Sequence, residues 1–158
     1  MLFRAEDGSY QSIDDRTDIF DGEALYEPGY TQVVYLRVNN NGTVPFNYQT
    51  AVIINDFTAG QNALEQPIYL QNYLKFGLAT ADTPEGLNAK VATRELAAAV
   101  ATEPLNNYHS AVSSLGAGET MYMALVVRMP EEVGNDANYR GLPVPEVQLG
   151  ISVNATQQ

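Results

Sequence analysis

The chain has 158 residues, of which 45% are hydrophobic and 17% charged, and its 19 acidic and 8 basic residues leave a formal charge of −11. This describes one globular domain that buries about 70% of its unfolded surface, with a charge that opposes nucleic-acid phosphate and anionic membrane. Cysteine is absent, which removes disulfides, thiolate metal sites and cysteine nucleophiles together.

In chain order, Met1 to Ala5 reads as the tail of an apolar strand and lacks the apolar core of a signal peptide. The chain is therefore expected to be either cytoplasmic or a processed form. No run approaches the ~20 apolar residues that span a bilayer. Glu6-Asp7-Gly8-Ser9 makes a polar turn, and an acidic loop from Asp14 to Glu23 follows. Pro28-Gly29 is a turn, because proline presets φ and glycine accepts a positive one.

From Tyr30 the residues alternate, with Tyr30, Gln32, Val34, Leu36 and Val38 on one face and Thr31, Val33, Tyr35 and Arg37 on the other. A period of two in β-branched and aromatic types predicts a strand. Asn39-Asn40-Asn41-Gly42 breaks it, and Asn-Gly is a strong hairpin signal. Phe46, Tyr48, Thr50, Val52 and Ile54 then alternate again. The expectation is a hairpin of two long strands with Asn41 and Gly42 at its turn.

Asn55 to Asn62 reads as loop, Gln66 to Tyr73 as a helical turn, and Leu74 to Ala79 as a strand. Asp82 to Gly86 reads as a break. Thr93 caps a helix through Leu96-Ala97-Ala98-Ala99-Val100, which stops before Pro104. Gly116-Ala117-Gly118-Glu119 turns the chain into a strand from Thr120 to Met129 that is apolar on both faces, so both faces are expected to be covered. Val147, Leu149, Ile151, Val153 and Ala155 alternate in a last strand, with the odd positions inward. Together these elements predict an all-β fold, an antiparallel β-sandwich in a single domain over 1–158 with a helical insertion at about 93–102.

The residues offer little chemistry. One histidine, His109, lies in a polar loop beside Ser110, without the partners of a zinc motif or a triad. Asp14, Asp15 and Asp18 supply oxygen ligands of the kind calcium takes, but without EF-hand spacing, and a solvated acidic loop is the competing reading. Asn135, Asp136 and Asn138 are read the same way. Asn41-Gly42-Thr43 and Asn154-Ala155-Thr156 match the short glycosylation pattern. Ten tyrosines and five phenylalanines invite sugar stacking, although most tyrosines fall on predicted strands or turns, where they pack the sheet. No catalytic residue and no cofactor is assigned.

Tyr26-Glu27-Pro28-Gly29-Tyr30-Thr31-Gln32-Val33-Val34-Tyr35-Leu36-Arg37-Val38 with Asn41-Gly42-Thr43 resembles the signature of the TasA/camelysin proteins, which are exported through a SipW-type signal peptidase. Tyr73 to Gly77, Ala92 to Glu95, Leu115 to Thr120, Met129 to Asn135, Asn138 to Gly141 and Gln148 to Gln157 continue the resemblance in family order over most of the chain. Its structural motif falls on Glu27, Pro28, Gly29, Tyr30, Asn41, Gly42, Gly118 and Glu119. The resemblance implies a jelly-roll sandwich, secretion to an extracellular matrix or cell surface, and self-association into a fibre by donor-strand exchange, with other matrix or surface components as further partners. Some relatives carry a metalloprotease label, which the single histidine here does not support. The alternative expectation is a surface-exposed binding module or adhesin for a glycan or host protein.

Overall fold

Alternation with a period of two fills the chain with strands, and a computed structural model describes residues 2–4, 9–12, 29–61, 65–104, 110–130 and 146–157. In chain order these form β1 (Leu2–Arg4), β2 (Tyr10–Ser12), β3 (Thr31–Asn39), β4 (Phe46–Thr58), β5 (Gly60–Gln61) and β6 (Pro67–Ile68). A 3₁₀ turn (Leu70–Asn72) leads to β7 (Lys75–Ala81), α1 (Pro84–Val91), α2 (Arg94–Val100), β8 (Glu103–Pro104), β9 (Ser113–Leu115), β10 (Thr120–Arg128) and β11 (Glu146–Gln157). Among the described residues the fold is all-β with two short helices. One sheet runs β2-β1-β3-β10-β7-β8, a second runs β11-β4-β9, and β5 pairs with β6. The pairings are antiparallel.

The strands β3 and β4 are long, as expected, but they do not form a hairpin. β3 pairs with β1 and β10, whereas β4 pairs with β11 and β9 in the other sheet. The reason is burial. Val34, Leu36 and Val38 of β3 share one core cluster with Tyr48 of β4, Leu115, Met121 and Met123. A tight hairpin would keep both apolar rows in one sheet, whereas a change of sheet sets them against each other. Residues 40–45 are also too many for a two-residue Asn-Gly loop.

A second cluster likewise joins the sheets, packing Val52 of β4 against Leu70, Leu74, Phe76, Leu125, Val127 and Met129, with Ile151 of β11 at its margin. The far face of the first sheet is covered by the helices: Ala79, Ala124 and Val126 pack on Leu87, Val91, Ala97 and Ala101. β10 is thus apolar on both sides because both sides are covered, as its sequence predicts.

Three boundaries differ from the sequence expectation. β4 runs on to Thr58 through the expected loop, absorbing Asn55 as a bulge where Gln148 opposes Asp56 and Leu149 opposes Ile54. The expected break at Asp82 to Gly86 instead opens α1. Thr83 is its N-cap, accepting from the Gly86 amide at 3.0 Å, and Pro84 sits in the first turn; proline is a breaker inside a helix and a starter at that position. The expected helix at 93–102 ends at Val100, with Thr93 capping it through the Leu96 amide at 3.2 Å. Ala155, expected inward, is exposed near the end of β11.

Gly77 explains how the helices come so close. A Cβ placed there would stand 1.8 Å from the Val100 carbonyl oxygen and 2.4 Å from its carbon. Only a glycine lets the end of α2 rest on β7.

Candidate functional site

Glycines and asparagines at strand ends have a backbone task, and here two chain reversals meet. The passage from β3 to β4 and the passage from β9 to β10 both cross between sheets at one corner. Asn40, 4% exposed, fastens them. Its amide donates to the Glu119 carbonyl at 2.9 Å, and its own carbonyl accepts from Gly118 at 2.9 Å. Its side-chain Nδ2 donates to the Val44 carbonyl at 2.9 Å and to the Leu115 carbonyl at 3.1 Å, while Oδ1 accepts from the Gly42 amide at 3.0 Å. Thr120 Oγ1 adds a bond to Asn39 Oδ1 at 3.1 Å.

The opposite turn is closed in the same manner. Gly118 has φ of +72°, and the Glu119 carboxylate accepts from the Gly116 amide at 2.7 Å. Gly42, Gly118 and Glu119, singled out in the sequence, therefore converge on one corner. Asn41 is exposed beside it. The residue at the centre, Asn40, is not distinguished in the sequence from the asparagines flanking it; only the fold selects which of the three turns inward.

At the other end of the same strand pair, Gly29 (φ +89°) donates to the Met129 carbonyl at 2.8 Å, and the Met129 amide donates to the Tyr30 carbonyl at 2.9 Å. Arg94 of α2 donates to the Gly29 carbonyl, which ties the helices to the start of β3. Glu27 and Pro28 lie outside the described residues, as do Asp14, Asp15 and Asp18, the rest of the acidic loop to Glu23, His109, Asn135, Asp136 and Asn138.

Ser110 is placed by the backbone of β4. Its amide donates to the Thr50 carbonyl at 2.8 Å, and its Oγ accepts from the Thr50 amide at 2.9 Å. Gln49 donates to the Ser110 carbonyl at 2.9 Å. These bonds prolong the short β9 along β4, so this serine is occupied with strand pairing. Tyr48 donates to Met121 Sδ in the core. Burial pushes its phenol above the ordinary value, and a hydrogen bond from Ser113 opposes that rise.

The second sheet ends differently from the first. β11 pairs with β4 along its whole length, from Glu146 opposite Thr58 to Gln157 opposite Phe46. Among the described residues no strand pairs with its other side. Asn154, of the second glycosylation pattern, is exposed on this strand. Such an edge carries a row of backbone donors and acceptors able to pair with an added strand. Among the described residues no three metal-binding side chains come together, and no helix is long and apolar enough to cross a membrane.

Comparison with known proteins returned no matching family model, no matching curated protein and no matching solved structure.

Proposed function

We propose that this chain is a non-enzymatic, secreted structural subunit that polymerises into an extracellular fibre or matrix by strand exchange. The observation that carries the reading is β11, 12 residues long with one side unpaired among the described residues, in a sheet of three strands facing a sheet of six. An added strand would gain main-chain hydrogen bonds along that edge, and alternate side chains would set its register. A head-to-tail contact of this kind does not close on itself and so builds a filament.

The sequence resemblance to the TasA/camelysin proteins supports the same reading, as does the order of the strands. β3 pairs with β10 in one sheet; once both chains have crossed the Asn40 corner, β4 pairs with β9 in the other. Nested pairing carried around a corner is the kind of winding a jelly roll uses, and it supports that reading of the sandwich.

Electron microscopy of the full chain, alongside light scattering, tests the proposal. Filaments are expected, and they should be lost in the Asn154→Lys/Thr156→Lys variant, since lysines on an edge strand oppose pairing with another chain. A chain that stays monomeric at all concentrations, salts and pH values overturns it.

A further inference from the structure

In a chain with so few cations, two arginines stand together on the first sheet. The register puts Leu2 opposite Arg37 and Phe3 opposite Leu36, so Arg4 falls opposite Tyr35. Tyr10 opposes Arg4 from β2, and Tyr122 opposes Arg37 from β10. The result is a row Tyr10–Arg4–Tyr35 beside a row Arg37–Tyr122. It lies on the helix-bearing face, where the helices cover Ala124 and Val126 further along β10 and leave these five side chains partly exposed.

The side chains stack. The Arg4 guanidinium carbon lies 3.7 Å from the Tyr35 ring centre, and that of Arg37 lies 4.8 Å from the Tyr10 ring centre. Tyr10 and Tyr122 meet edge to face at 6.0 Å. Stacking holds the flat guanidinium groups in place and uses their faces, not their N–H edges. Among the described residues, Arg37 Nε has no hydrogen-bond partner. Burial raises the Tyr10 phenol, and the groups acting on it besides burial are Arg4, Tyr122, Arg37 and Tyr35. The contacts found for both cations among the described residues are thus tyrosine rings and not carboxylates.

We propose that this arginine–tyrosine face binds the carboxylate of an acidic saccharide of the uronate type. A carboxylate takes the two parallel N–H bonds that a guanidinium edge presents, and a tyrosine ring beside it offers the flat apolar surface on which a sugar ring rests. A saccharide fits better than an acidic peptide. The main chains of β1 and β3 are paired on both sides here, and the edge strand β2 offers only three residues, so a peptide would be held chiefly by its carboxylates. The site is independent of strand exchange at β11, which lies in the other sheet.

Calorimetric titration of the full chain with a trigalacturonate, its methyl ester and a tri-aspartate peptide tests this. The trigalacturonate is expected to bind, the ester at least tenfold more weakly, and the peptide at least tenfold more weakly. Arg37→Gln and Arg4→Gln should each weaken binding at least tenfold with the circular dichroism spectrum unchanged, and Arg37→Lys should recover only part of the loss. The Asn154→Lys/Thr156→Lys variant should bind like the parent, whether or not it forms filaments. No binding of the trigalacturonate at millimolar concentration, equal binding of the ester, or equal binding of the peptide each overturns the proposal. The comparison of the three ligands on the parent chain decides it even if an arginine variant fails to fold.

Discussion

The two sheets are built from the same kind of alternating strand and are used in opposite ways. In the first, the middle of β10 is sealed on both faces: Met123 and Leu125 point to the second sheet and Ala124 and Val126 to the helices, all with no exposed surface. In the second, Tyr48 and Val52 are buried while Ile53 on the reverse face is 46% exposed, and β11 has a side unpaired among the described residues. A strand covered on two faces gains burial on both, at about 25 cal/mol per Å² of apolar surface. A strand covered on one face gains less but keeps a surface and an edge for something else. The first sheet thus gains burial on two faces of its central strand where the second gains it on one.

Substitutions in the two sheets should therefore differ in cost. The largest effect is expected from Phe76→Ala in the first sheet, a fully buried ring shared by both layers, at about 4 kcal/mol of lost stability in urea unfolding. Gly77→Ala should cost about 3 kcal/mol, because the added carbon meets the backbone of α2 and not a side chain that can turn away. The same experiment should show α2 losing amide-exchange protection ahead of β4. An equal loss in both sheets would mean that the helices are not a separate cover.

Asn40→Ala probes the corner that joins the sheets. It removes two donors from the Val44 and Leu115 carbonyls and an acceptor from Gly42, and should cost about 2 kcal/mol. Asn40→Asp should be no better, because a carboxylate cannot donate to those carbonyls. The Tyr48 phenol gives a pH test of the same interface. Its folded value is raised above 10.0 mainly by burial, so the folded state holds its proton where the unfolded state has lost it. Stability from this group is complete below pH 10 and declines as pH rises through the folded value. Tyr48→Phe should flatten that alkaline decline in a series of thermal melts. Ile53→Ala on the open face should change stability by no more than about 0.5 kcal/mol. A cost of several times that would show the face to be covered in solution.

Much of the fold was legible because local rules were enough. Strand periodicity placed β3, β7, β10 and β11 to within a few residues, and the apolar character of both sides of Met121 to Val127 announced two covers before either was visible. Thr93 marked its helix correctly. Pro84 and Gly86 misled, since the same residues end one helix and start another depending on position. Of the corner, Gly42, Gly118 and Glu119 could be picked out as turn residues. Asn40 could not, because three adjacent asparagines differ only in which one the fold turns inward. Gly77 likewise carried no signal: its need for a bare backbone arises from a helix that follows it by more than a turn of chain.

Local pattern is enough to give this chain long antiparallel strands, a core without cysteine, and glycine turns at Gly29 and Gly118. These are matters of period, composition and backbone freedom, which each segment carries alone. Long-range packing sends β3 and β4 into different sheets, sets Asn40 between two crossings, and brings Arg4 and Arg37 beside tyrosines from three strands. Those outcomes depend on which apolar row finds which cover, a choice that belongs to the whole chain and to no single stretch of it.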